Sequence, residues 1–464
     1  MTQSADFTVQ QPMQSHCNDA SIFGAKNSDD TLLIGLACAC PKLTNLQLSS
    51  SGRSGITRTG LDALFTACTD LQVLSLQISV KIQQMPASFF GLTSLRDVSL
   101  SFGLCEFPDR FGKLKSLEVL TLECLHITDL PDSIGQLTAL TELSISNCQR
   151  LQDLPDSIGD LRSLKKLETF RAKPLEVLPD SIGQLRNLEN VLLYLNRSLC
   201  ELPDSFFQLP SLKVFKLWEL KHLPELESAV SSLVALEMLH IEKCWFESLP
   251  DSLCQLPNLR RLMVTDCWDL TSLPRSIGDA SSLQRLKFSN LGSLECLPGS
   301  ISKLSDLQSF VLKRCGAIME FPASLFQDCT SLKKLEFDWP YSCGNDSRAG
   351  SVSSAEFVSN LCELSSLTSL VLSGVPDLTT LPPQIVNLSE LEQLKLHSWP
   401  KLACLPDSMS KLVDLYYLEI VTCPTFDKTI KKISGLPRVE IVRESSREEW
   451  ASDDEWGSDD EGLL

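Results

Sequence analysis

The pattern LxxLxL returns sixteen times along this chain of 464 residues, starting at Leu43, Leu71, Leu95, Leu117, Leu140, Leu164, Leu188, Leu212, Leu236, Leu259, Leu283, Leu307, Leu332, Leu367, Leu391 and Leu415. Most intervals between starts are 22 to 25 residues, and a degenerate seventeenth copy, LPRVEI at Leu436–Ile441, follows after 21. A fixed period of this size means a stack of similar supersecondary units, which overrides any estimate of domain number from length.

Within LxxLxL the apolar positions alternate with an outward residue, as a short strand requires. In the cleanest units, LPDSIGQLTALTELSI (Leu130–Ile145) and LPDSIGQLRNLENVLL (Leu178–Leu193), Pro breaks the chain after the strand. Asp or Ser is then expected to cap the following amides, and Gly to relax the turn that closes the coil. The handful of aliphatics in one unit cannot offset the entropy of ordering it, so stability requires neighbouring coils to share their apolar faces. The expected fold is an α/β solenoid, a horseshoe with a concave parallel β-sheet of about 16–17 short strands and a convex side of short helical or 3₁₀ returns. Residues 1–42 are expected to form an N-terminal segment and cap, 43–441 the solenoid, and 442–464 an acidic disordered tail.

Over roughly residues 32–441 this pattern resembles the leucine-rich-repeat family. The form LxxLxLxxCxxLxxLPxxIxxL is similar to the repeat regions of plant disease-resistance proteins and of Ras-pathway scaffold repeat proteins. That resemblance implies a non-enzymatic scaffold for protein–protein interaction in signalling or innate defence. No GxxxxGK[ST] occurs, so switching by nucleotide exchange is not implied. The unit ITRTGLDALFTACTDLQVLSL (Ile56–Leu76) sits in a 28-residue interval and resembles the cysteine-containing repeats of F-box substrate adaptors. It implies an alternative role, substrate recognition for a ubiquitin ligase.

Composition narrows the function classes further. The first twenty residues carry no basic start followed by an apolar core, and no run of eighteen apolar residues exists, so neither export nor a membrane span is expected. The eighteen cysteines then read as thiols of a reducing compartment, cytoplasm or nucleus. No CxxC pair and no HExxH occurs, and no metal or cofactor is expected. A formal charge of −18 argues against general nucleic-acid or anionic-membrane binding. The Asn-x-Ser sequons at Asn196, Asn345 and Asn387 are treated as chance matches.

Cys148, Cys244, Cys267, Cys315 and Cys423 each fall three residues after the last strand position, where a small, weakly polar side chain can pack inward. Repeated LPDS is read as one capping job in every copy, since no positioned His or nucleophile elbow accompanies it. The outward slots are the candidate binding surface. From Leu164 to Leu332 they hold ten basic residues, Lys165, Lys166, Lys213, Lys216, Arg260, Arg261, Arg285, Lys287, Lys333 and Lys334, against four acidic ones, Glu168, Glu189, Glu237 and Glu336. Such a face suits an acidic segment of a partner protein. Trp218 follows on the same face as an interface anchor. Trp245 and Trp268 come directly after the Cys slot and are expected to pack beneath the rim, and Trp339 lies further on.

The 35-residue interval from Leu332 to Leu367 contains Pro340–Phe357, whose Gly, Ser and Asn predict a mobile surface loop. From Glu444 to Leu464 nine acidic residues stand against one basic. Ser452 and Ser458 each precede Asp-Asp-Glu and resemble acid-directed phosphorylation sites. This tail, with Trp450 and Trp456 as anchors, is a candidate intramolecular ligand for the basic band.

Overall fold

The computed structural model describes residues 18–23, 29–50, 55–78, 82–104, 107–123, 126–172, 174–220, 229–319, 321–340 and 353–426. Its chain divides into two compact units, one made of residues up to 246 with 256–259, the other of residues 247–255 and those from 260 onwards.

The first unit contains β1 (Asp19–Phe23), β2 (Asn45–Ser50), β3 (Val73–Ile78), β4 (Asp97–Ser101), β5 (Val119–Glu123), β6 (Glu142–Ser146), β7 (Lys166–Phe170), β8 (Asn190–Tyr194), β9 (Val214–Trp218) and β10 (Met238–Glu242). Each is hydrogen-bonded to the next in parallel. The second unit contains β11 (Arg261–Thr265), β12 (Arg285–Ser289), β13 (Ser309–Lys313), β14 (Lys334–Asp338), β15 (Ser369–Ser373), β16 (Gln393–His397) and β17 (Tyr417–Val421), again parallel throughout. Strands β2 to β17 are the sixteen LxxLxL units. The seventeenth described strand is β1, which has no such motif but sets Ala20 opposite Leu46 and Ile22 opposite Leu48. LPRVEI lies outside the described residues.

Alternation along each strand is as the motif requires. In β5, Leu120 and Leu122 are buried, while Val119, Thr121 and Glu123 are half-buried on the other face. Coils are spliced just ahead of each strand, where one carbonyl accepts two amides of the following coil. Glu189 O, for example, receives Lys213 N at 2.8 Å and Val214 N at 3.0 Å. Every backbone group so paired is one fewer buried polar orphan.

Most returns are single 3₁₀ turns entered from an extended Pro, such as Asp132–Gln136 after Pro131, Asp156–Asp160 after Pro155 and Asp180–Gln184 after Pro179. None of these three has a side-chain cap, so the capping role expected of Asp and Ser is corrected. Oγ of Ser133, Ser157, Ser181 and Ser205 is buried without a hydrogen-bond partner. The serine instead packs against the glycine of the preceding coil. A Cβ on Gly135 would stand 2.4 Å from Ser157 O, and one on Gly159 would stand 2.5 Å from Ser181 O. Glycine is thus required by the close approach of successive turns, not by turn flexibility.

Longer intervals hold longer returns. The 28-residue interval contains helix α2 (Arg58–Ala67), preceded by α1 (Asp30–Ala39), and these helices do carry side-chain caps, Thr57 and Asp29. Asp30 also accepts from the Thr57 amide at 2.7 Å, tying the two returns together. The 35-residue interval contains α3 (Ser354–Leu361), capped by Ser353. This corrects the expected loop over its last part. Phe357 is fully buried, 4.9 Å from the Phe337 ring and 5.6 Å from Trp339. Residues 341–352 lie outside the described part.

Candidate functional site

The inward slot after each strand is structural. Cys148, Cys244, Cys267, Cys315 and Cys423 direct Sγ to strand-end carbonyls of their own coils, Cys244 to Glu242 O at 3.3 Å and Cys267 to Thr265 O at 3.3 Å. Burial pushes the Cys244 and Cys315 thiols up to about 12, so neither is a thiolate at neutral pH. Asn196 occupies the same slot, fully buried, accepting from Ala172 N at 3.0 Å and donating to Thr169 Oγ1 at 2.6 Å. Its amide is committed to hydrogen bonds inside the coil. Trp399 fills the slot with an indole, whose N–H donates to Leu372 O at 3.0 Å. Among the described residues no group of three or more His, Cys, Asp or Glu is placed to hold a metal ion, and no helix is long and apolar enough to cross a membrane.

The opposite, water-facing side of the strands carries the candidate site, and its charge differs between the two units. In the second unit the strand register sets Arg261 beside Arg285, and Ser309 beside Lys334. Lys287 lies one outward position along from Arg285, while Arg260 and Lys333 are exposed immediately before their strands. With Lys313 and Arg314, eight basic residues line β11–β14 against Asp266, Glu336 and Asp338. Lys313 is held by Glu336 at 3.1 Å, and Asp266 accepts from Asn290 Nδ2 at 2.9 Å.

On β7–β10 of the first unit the charges nearly balance: Lys165, Lys166, Arg171, Lys213, Lys216 and Lys243 stand against Glu168, Glu189, Glu219, Glu237 and Glu242, with Lys213 bonded to Glu189 at 2.8 Å and Lys166 lying 3.8 Å from Glu168. Counting outward slots along the sequence misses this balance because Glu242 closes its strand at the last outward position, beyond the LxxLxL core.

The tryptophans separate by place. Trp218 ends β9 on the outward face, half-buried. Trp245 and Trp268 are 39% and 59% exposed, contrary to the expectation of packing beneath the rim. Each follows an inward cysteine, and with that slot filled the next side chain is left on the solvent side. Trp339 is buried with Phe321 and Phe337, at ring separations of 5.4 and 6.4 Å. Ser452, Ser458, Trp450 and Trp456 lie outside the described residues.

Sequence reasoning passed over Phe170 and Tyr194. Register places them beside Trp218 in one outward column, Phe170 against Tyr194 and Tyr194 against Trp218. The signal was present as an aromatic at the same step of three consecutive repeats.

A family model described as a leucine-rich repeat region matches residues 56–196. A search of curated proteins gave no match. Among solved structures, a leucine-rich-repeat protein of Leptospira interrogans is similar at 23% identity over 88% of this chain and 97% of its own, with a TM-score of 0.66. The plant peptide hormone receptor RGFR1, in complex with RGF2, is 21% identical over 94% of this chain and 70% of its own, TM-score 0.54. The functional domain of InlJ from Listeria monocytogenes, which includes a cysteine ladder, is 16% identical over 87% and 74%, TM-score 0.53. Repeat sequence, matched region and parallel-stranded coils agree: residues 56–196 match the leucine-rich-repeat family, and the chain has the leucine-rich-repeat fold.

Proposed function

We propose that this chain is a non-enzymatic recognition scaffold that docks an acidic segment of a partner protein on the outward face of β11–β14. The observation that supports this reading is the local charge, eight basic residues against three acidic ones on a protein of formal charge −18. A face of opposite sign to its own molecule steers and selects an acidic partner, and a backbone already held in strands needs little ordering on binding. Leucine-rich-repeat proteins in general are binding scaffolds, and the plant receptor above holds a peptide hormone. A role in signalling or innate defence is supported by the resemblance of the repeats, and a cytoplasmic or nuclear setting by the cysteines among the described residues, which are free thiols. The test is titration of a fluorescent decaglutamate peptide at fixed ionic strength. Replacing Arg260, Arg261, Arg285 and Lys287 by Glu is expected to lower its affinity at least tenfold without shifting the unfolding midpoint, and undiminished affinity would overturn the reading.

A second reading, substrate recognition for a ubiquitin ligase, is favoured by the α-helical return at Arg58–Ala67, which fits the cysteine-containing repeat noted in the sequence. Co-purification with a Skp-type adaptor and a cullin supports it, and their absence from tagged preparations that retain the acidic partner removes it.

A further inference from the structure

The outward fifth position of the strands is polar in the first half of the first unit, where Gln77, Ser101, Glu123 and Ser146 stand side by side on β3–β6. On β7–β9 the same lane is Phe170, Tyr194 and Trp218. Three consecutive aromatics on a water-facing column are not required by the coil, because the neighbouring strands fold with Ser and Gln in that lane. Toward the start of the strands the lane continues through half-buried Val214, with Leu192 and Met238 buried beside it.

The geometry of the column favours a cation. Tyr194 and Trp218 meet edge to face, centroids 5.8 Å apart and planes at 77°. Trp218 Nε1 is buried, so the exposed part of that side chain is ring carbon. Two of the chain's own cations already use the column, Arg171 lying 4.8 Å from the Phe170 centroid and Lys243 4.9 Å from that of Trp218. Lys243 Nζ is also 3.5 Å from Glu242 Oε1, so its ammonium lies between a ring face and a carboxylate. On the other flank Glu168 lies 3.8 Å from Lys166, a loose pair that leaves the carboxylate 28% exposed. Burial first, then Glu168 and Glu242, push the Tyr194 phenol up to about 12. Ring faces flanked by carboxylates attract ammonium and guanidinium groups.

We propose that Phe170, Tyr194 and Trp218, with Glu168 and Glu242, form a receptor for a basic side chain of a partner protein, and that Lys243 occupies this receptor in the free chain. An incoming arginine or lysine exchanges with Lys243, which returns to water, so the site stays desolvated on one side in both states. This site lies wholly in the first unit and asks for the opposite charge from the β11–β14 face, so it stands whether or not the acidic-segment reading does.

The test uses the full chain and two labelled peptides, Ac-Gly-Arg-Gly-Arg-Gly-amide and its citrulline counterpart, which keeps the planar head group and removes the charge. At fixed physiological ionic strength the arginine peptide is expected to bind at least tenfold more tightly than the citrulline peptide. Tyr194→Leu and Trp218→Leu, which leave net charge unchanged, are expected to abolish that preference. Lys243→Gln is expected to tighten arginine-peptide binding severalfold, while Lys165→Gln, removing the same charge from the same face, is expected to tighten it much less. Equal gains from Lys243→Gln and Lys165→Gln would show general attraction to an acidic protein and overturn the proposal. So would unaltered preference in folded Tyr194→Leu, and if the leucine variants fail to fold, the comparison of the two lysine variants decides.

Discussion

Replacing Asn196 by Ala tests whether the slot behind each strand holds the coils together by hydrogen bonding. The side chain is fully buried, with Oδ1 accepting from Ala172 N at 3.0 Å and Nδ2 donating to Thr169 O at 3.2 Å and Thr169 Oγ1 at 2.6 Å. Removing it strands at least the Ala172 amide and the Thr169 hydroxyl in a site closed to water. At about 1–3 kcal/mol for each orphaned group, the variant loses about 4 kcal/mol. Thr169→Val removes one acceptor and leaves Nδ2 bonded to the carbonyl, so it costs about 1 kcal/mol. The two changes share a contact and are not additive, and Asn196→Ala in the Thr169→Val background costs about 1 to 2 kcal/mol less than in the wild type. Urea unfolding gives the cycle, and native-state hydrogen exchange on peptides spanning β7 and β8 localises it, with Ala172 losing protection first. A cost below about 0.5 kcal/mol with Ala172 still protected would mean that the slot works through shape alone, and the reasoning would fail.

Gly159→Ala forces a methyl to within 2.5 Å of Ser181 O, and overpacking of this kind is expected to cost about 2 kcal/mol, read as a lower urea midpoint at unchanged slope. Alkylation by iodoacetamide, mapped by mass spectrometry, is expected to modify exposed Cys200, Cys296 and Cys404 in the native chain and to reach Cys244, Cys315, Cys329 and Cys362 only after unfolding, because burial holds these four thiols near 12. Deleting residues 444–464 is expected to raise decaglutamate affinity at low salt and less at moderate salt, and phosphorylation of Ser452 and Ser458, each adding about −1.5 to −2 charge, is expected to lower it in the intact chain. Equal affinities in all these forms would show that the tail does not compete for the basic face.

Strands β2 to β17 were legible in the sequence because what defines them is local. The inward leucines of β5, Leu120 and Leu122, are two residues apart, and no knowledge of a neighbouring coil is needed to see them alternate. Which return would be an α-helix was not read from the sequence: the 28-residue interval holds the ten residues of α2, and the 35-residue interval, expected to hold a loop, holds α3. β1 was not legible. It presents Ala20 and Ile22 where later strands present leucines, and it is a strand because β2 offers it a paired edge.

Sequence alone therefore determined the repeat, the inward faces and the place of each candidate outward residue. Only the tertiary structure decided which of those residues meet. Gly159 and Ser181 are 22 residues apart, Phe170 and Tyr194 are 24, and Lys213 finds Glu189 across the same distance. Whether such pairs touch depends on the register of one coil against the next, which is set by the backbone bonds spliced between coils. Apolar alternation fixes which face a side chain takes, but it is silent on which residue of the adjoining coil stands beside it.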